Sequence, residues 1–145
     1  MGCPSRPVRP EEAKIGVTPI PDVVLLAAGW RPRALLRAQL IEQGFDVVAV
    51  DSWLMMRKAL RPHVRPPLAV VDLQELPEPE HVLNDLAMMM EPGRVLVVTA
   101  TGAVTPDEIQ ARGYRVLRRP ISIGEIAAAV DGALYDAGDR RRLGR

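Results

Sequence analysis

Aromatic residues are nearly absent from this 145-residue chain, at two tryptophans, two tyrosines and one phenylalanine, or 3% of the total. Hydrophobic residues still reach 48%, so Val, Leu, Ile, Ala and Met must fill the core. Cysteine occurs once, at Cys3, which excludes an internal disulfide and suits a reducing compartment. A dominant charge is missing as well. Nineteen basic and 18 acidic side chains leave a formal net charge of +1, which argues against a nucleic-acid footprint spread over the whole surface. No run approaches the roughly 18 apolar residues of a membrane span, and the N-terminus has no apolar signal core. Arg6 stands where the myristoylation pattern wants Ser or Thr. The expected location is cytoplasmic, with no membrane partner.

What is present suits one domain with a sizeable core. Residues 1–21 hold Pro4, Pro7, Pro10, Pro19 and Pro21 and read as an extended arm. Residues 22–136 form the domain. Residues 137–145 form a basic tail with Arg140, Arg141, Arg142 and Arg145, read as a solvated terminus rather than a nucleic-acid site. No repeat at a solenoid period is visible.

Within the domain, short apolar runs alternate with helical patterns. Val23–Ala28, Val47–Val50, Leu68–Val71, Val95–Val98 and Tyr114–Leu117 are near-continuous rather than alternating, which implies strands buried on both faces of a parallel sheet. Pro32 and Gly44 bracket a helix over Arg33–Gln43, and Ser52 caps one that Pro62 ends beyond Leu60. A third runs from Pro79 to Met90 and stops at Pro92-Gly93. Thr105-Pro-Asp-Glu108 and Ser122-Ile-Gly-Glu125 are capping boxes. The last helix places Ile126, Ala129, Val130, Ala133 and Leu134 on one face. Five β-α units predict an α/β fold, a three-layer doubly wound (βα)5 sandwich around a five-stranded parallel sheet.

In such a sheet, chemistry gathers at the carboxyl ends of the strands. The residues there are Ala27-Ala28-Gly29, Asp51-Ser52, Asp72, Thr99-Ala100 and Arg118-Arg119-Pro120. Three of these stretches, Val70-Val71-Asp72-Leu73, Val97-Val98-Thr99-Ala100 and Leu117-Arg118-Arg119-Pro120, resemble the response-regulator receiver domain. The resemblance covers roughly residues 22–135. It implies strand order 2-1-3-4-5, Asp72 as phosphoacceptor candidate, a hydroxyl at Thr99, a cation before Pro120 and a cis peptide preceding that proline. The family's phosphoryl transfer needs Mg²⁺, an oxygen-seeking cation held by an acidic pair at the end of strand one.

That pair is missing. Counted back from Gly44-Phe45, its positions fall on Ala27 and Ala28, and no Asp or Glu lies between Asp22 and Glu42. Arg119 replaces the family's Lys and keeps the charge but not the compact ammonium. Val116 stands where a switch aromatic is common, with Tyr114 two positions earlier, and Pro77 falls one residue late. Asp51 reads as a helix-start residue more than a metal ligand.

The expectation is therefore a non-enzymatic receiver-like module with no cofactor. It would bind a signalling protein, such as a histidine kinase or regulator, or a second copy of itself. The family docks through its last two helices and strand five, here Thr105–Arg112 and Ser122–Tyr135. Trp30, Val116 and Ile126 are the interface candidates, Trp30 either plugging the emptied pocket or standing exposed. The pocket comprises Ala27, Ala28, Asp51, Thr99, Arg119 and Pro120, with an Asp72–Arg119 ion pair as its resting state. One alternative is a working phosphorelay through Asp72; a second is a small-ligand sensor using the space at Ala27 and Ala28. His63 and His81 lack the company of metal ligands. Met55-Met56 and Met88-Met89-Met90 read as core filling.

Overall fold

The inner strands of the sheet are built of Val, Leu and Ala with no polar residue before their last position, have no face to offer water, and are buried throughout. The computed structural model of the chain describes residues 20–60, 65–102 and 104–143, with side chains described to residue 136. Cys3, the first nineteen residues of the arm, Pro62, His63 and the side chains of the 137–145 tail lie outside the described residues. The elements run β1 (Val23–Leu26), α1 (Trp30–Glu42), β2 (Val47–Val50), α2 (Trp53–Ala59), β3 (Leu68–Asp72), α3 (Pro79–Met89), β4 (Val95–Val98), α4 (Pro106–Ala111), β5 (Arg115–Leu117) and α5 (Ile123–Leu143). A single 3₁₀ turn, Pro92–Arg94, leads into β4.

All strands pair in parallel, in the order β2-β1-β3-β4-β5. The register sets Val23 beside both Val47 and Leu68, Ala69 beside Val95, and Leu96 beside Arg115. The chain steps from β1 to one edge, then returns across the sheet. With right-handed crossovers that reversal sends helices to opposite faces. The two-residue period of a strand then divides the core. Val24, Leu26, Ala69, Val71, Val95 and Val97 pack toward α2, α3 and α4, together with Met56, Leu83, Leu86 and Ile109. Val23, Leu25, Leu68, Val70, Leu96 and Val98 pack toward α1 and α5, with Leu36, Leu40, Ile126 and Val130.

Helix ends follow local chemistry. Ser52 Oγ accepts from Met55 N at 3.2 Å, and Thr105 Oγ1 from Glu108 N at 3.2 Å. At α5 the box is reciprocal: Ser122 Oγ accepts from Glu125 N at 3.0 Å, and Ser122 N donates to Glu125 Oε1 at 3.2 Å. Gly44 takes φ +95° just past α1, a conformation that disfavours any side chain with a Cβ.

Some boundaries differ from those read in the sequence. β1 stops at Leu26, because only Ala27 N continues the ladder, donating to Val50 O at 3.1 Å. α1 begins at Trp30 rather than after Pro32, which sits within its first turn. Tyr114 precedes β5 instead of opening it, since its side chain is drawn into the core and its hydroxyl donates to Leu83 O in α3. α5 continues as helix to Leu143. Among the described residues, no helix is long and apolar enough to cross a membrane.

Candidate functional site

The carboxyl edge of the sheet is assembled from strand ends and two long arginines. Asp72 closes β3 and is only 6% exposed. Such a burial demands compensation, and three hydrogen bonds converge on its carboxylate. Arg119 grips it in a fork: Nη1 donates to Oδ1 and Nη2 to Oδ2, both at 2.8 Å. Gln74 N also donates to Oδ1 at 2.9 Å. Two parallel charge-assisted bonds are what a planar guanidinium gives a carboxylate and a lysine cannot.

Thr99, also buried, secures the other end of the arginine. Its hydroxyl accepts from Arg119 N at 3.1 Å and its carbonyl from Arg119 Nη1 at 2.6 Å. The Arg119–Pro120 peptide is cis. Asp72, Thr99 and Arg119, which the sequence places 27 and 20 residues apart, are thus one hydrogen-bonded unit.

The end of β1 carries a feature that the sequence reading missed. Arg33, in the first turns of α1, reaches back so that Nη1 donates to Ala27 O at 2.8 Å and Ala28 O at 3.2 Å. Gly29, the N-cap of α1, offers no side-chain cap, and Arg33 ties the turn down instead. The signal was an arginine four residues beyond a glycine at a strand end.

The loop after β3 was also underestimated. Glu75 and Glu78 take φ of +60° and +48°, unusual for residues with a side chain. Glu78 precedes Pro79, which disfavours the right-handed helical region for it. The loop frames two cavities. One, of about 350 Å³, lies among Gln74, Glu75, Leu76, Ala100, Thr101 and Arg119. The other, of about 200 Å³, lies among Gly29, Pro32, Asp72, Gln74 and Glu75.

The remaining candidates are scattered. Ala27 is buried in the α1–α5 core layer and Ala28 half-buried above it. Asp51 is exposed beside the Ser52 cap and lines neither cavity. Pro120 is exposed. Trp30 is 71% exposed, so it does not plug a cavity. Val116 is half-buried and packs on the α2–α4 side of the core. Ile126 requires correction as an interface residue: at 3% exposure its side chain points into the sheet, being on the apolar face that holds α5 down. Burial raises the Tyr114 phenol above its ordinary value of 10.0, with Arg112 nearby pulling partly the other way.

No family model matches the chain, and no curated protein matches it. Solved structures do. The signal receiver domain of a protein described as a Luxo repressor, from Vibrio parahaemolyticus, superposes with a TM-score of 0.70 at 22% identity, over 86% of this chain and 97% of that one. The receiver domain of the Francisella response regulator 1452 gives a TM-score of 0.68 at 17% identity, over 80% and 98%. A structure described as adenylate cyclase from Rhodopirellula baltica gives 0.67 at 16%, over 83% and 94%. The strand order, the paired strand-end residues and these superpositions agree: the chain has the fold of a response-regulator receiver domain.

Proposed function

We propose that this chain is a receiver-like signalling domain that works by binding a protein partner and has lost metal-dependent phosphorylation. The observation that carries the reading is the state of Asp72. Both its oxygens are engaged by a guanidinium, so the carboxylate is held as half of an ion pair rather than presented as a nucleophile.

The residues at the strand ends do not fit Mg²⁺. That ion wants near-octahedral oxygen ligands, with one or two carboxylates among them. At the end of β1 stand two alanines whose carbonyl oxygens accept from Arg33, and the carboxylate that shares the neighbouring cavity with Asp72 is Glu75, from the loop after β3. A fixed cation beside the position a metal would take repels it as well. Receiver-fold neighbours support a role in signal transduction, and signalling of this kind leaves binding as the output. Exposed Trp30 is a suitable anchor for a partner, a large rigid side chain needing little ordering.

The convergence of Thr99 and Arg119 on Asp72 favours a second reading, in which Asp72 remains a phosphoacceptor and Arg119 turns to meet the phosphoryl oxygens. Incubation of the protein with Mg²⁺ and a small phosphoryl donor, followed by intact mass, separates the two. Under the proposed reading, the mass is unchanged. A phosphoryl adduct that hydroxylamine removes and that is absent from Asp72→Asn would establish the second reading instead.

A further inference from the structure

The larger of the two cavities at the carboxyl edge, about 350 Å³, is framed by the loop after β3 and the loop after β4. It falls at the small end of the roughly 300–1,000 Å³ that small-molecule sites occupy. Its apolar lining is Leu73 and Leu76, both buried in the core, and half-buried Ala100. Its uncharged polar side chains are Gln74 and Thr101, both exposed. Among the described residues, the side-chain amide of one and the hydroxyl of the other have no partner.

Arg119 completes the lining, and its donors can be accounted for one by one. A guanidinium carries five N–H groups in a fixed plane. Nη1 spends both of its own, on Asp72 Oδ1 and Thr99 O, and Nη2 spends one on Asp72 Oδ2. The other Nη2–H and the Nε–H share the edge of the fork turned away from Asp72, and neither has an acceptor among the described residues. That edge is not sealed in protein. Trp53 Nε1 is the one buried side-chain nitrogen or oxygen left without a partner among the described residues. Arg119 lines the larger cavity and Asp72 the smaller, so the guanidinium stands between them. Glu75 borders both, but its Oε1 leans to the smaller one, 3.5 Å from where a Cβ on Gly29 would stand.

We propose that the larger cavity binds a small organic monocarboxylate, its two oxygens on the free edge of Arg119 and its carbon body on Leu73, Leu76 and Ala100. A planar carboxylate matches two parallel N–H groups, and the apolar lining takes carbon that an inorganic anion lacks. One negative charge suits the site. Asp72 already balances Arg119, and a dianion would be repelled by Asp72 and Glu75. Gln74 and Thr101 supply further hydrogen bonds at the rim. The site lies across the guanidinium from the Asp72 carboxylate and away from Ala27 and Ala28. It rests on the reading in which Arg119 is held by Asp72.

Two-dimensional NMR of the ¹⁵N-labelled full chain, titrated with hexanoate and benzoate and then with hexanamide and benzamide, tests it without Mg²⁺ or phosphoryl donor. The expected result is a saturable shift of Gln74, Thr101 and Gly102 amides with the carboxylates, and a downfield move of the Arg119 Nε–H. The neutral amides bind at least about tenfold more weakly. Arg119→Lys, which keeps the charge but not the fork, weakens carboxylate binding about tenfold, and Thr101→Ala about threefold. Glu75→Gln tightens it. Thr101 and Glu75 are exposed, and unchanged circular dichroism verifies that each variant folds. No saturable shift, amides that bind as well as carboxylates, an unmoved Arg119 Nε–H, or inorganic phosphate binding as tightly overturns the proposal. Absent binding with no phosphoryl adduct on Asp72 overturns this site alone; carboxylate binding together with such an adduct sustains the site and overturns the functional reading.

Discussion

Arg119 and Asp72 are unequal partners in their ion pair. The Asp72 side chain is 9% exposed and that of Arg119 27%. Removing the arginine strands a carboxylate in the interior with Gln74 N as its remaining donor; removing the carboxylate leaves a cation with a route to water. Arg119→Ala is therefore expected to cost about 3 kcal/mol, and Asp72→Asn, which keeps a hydrogen-bonding amide, about 1 kcal/mol. Urea unfolding of the two variants checks the order, and equal losses would deny the asymmetry. Tyr114 gives a second residue-level test. Because burial raises its pKa, the folded protein keeps the phenolic proton at pH values where the unfolded chain releases it. Its contribution is complete below the ordinary value of 10.0 and is lost as pH rises through and beyond it. Tyr114→Phe should cost about 1 kcal/mol near neutrality and flatten the alkaline decline in stability. A decline as steep as that of wild type would assign it to other groups.

At the scale of elements, boundaries were legible where a side chain enforces them and obscure where a distant contact does. The boxes at Thr105 and Ser122 could be read because the capping oxygen and the amide it serves are three residues apart in sequence. Both halves close at α5, whereas at α4 only the hydroxyl bond forms. Ser122→Ala should thus cost about 1 kcal/mol in thermal or urea unfolding and Thr105→Ala no more than that. A larger loss at Thr105 would contradict the assignment. The start of α1 was not legible. It depends on Arg33 reaching two carbonyls five and six residues back, and a proline inside the first turn pointed to a later beginning. Ile126 was misjudged for a related reason. The period of α5 identified its apolar face correctly, but the same residue cannot both hold the helix to the sheet and meet a partner.

For the whole molecule, the alternation of apolar runs with capped helices carried the fold, because burial on both faces leaves a strand no polar residue with which to disguise itself. The candidate site was legible at Asp72, Thr99 and Arg119, where the residue types sit at strand ends. It was not legible at Arg33 or in the left-handed conformations of Glu75 and Glu78, since neither a reach across a turn nor a positive φ leaves a mark in composition.

The central claim is that the carboxyl edge is closed by two arginines and does not answer to a metal or a phosphoryl group. The most direct measurement is the fluorescence of Trp30, which begins α1 beside that edge, in a Trp53→Phe background that leaves it as the single indole. Mg²⁺ is titrated first, then beryllofluoride as a phosphoryl mimic, with the melting temperature followed in parallel. The account predicts no saturable change in either titration and an unmoved melting temperature. A saturable response that vanishes in Asp72→Asn would contradict it and return Asp72 to the role of phosphoacceptor.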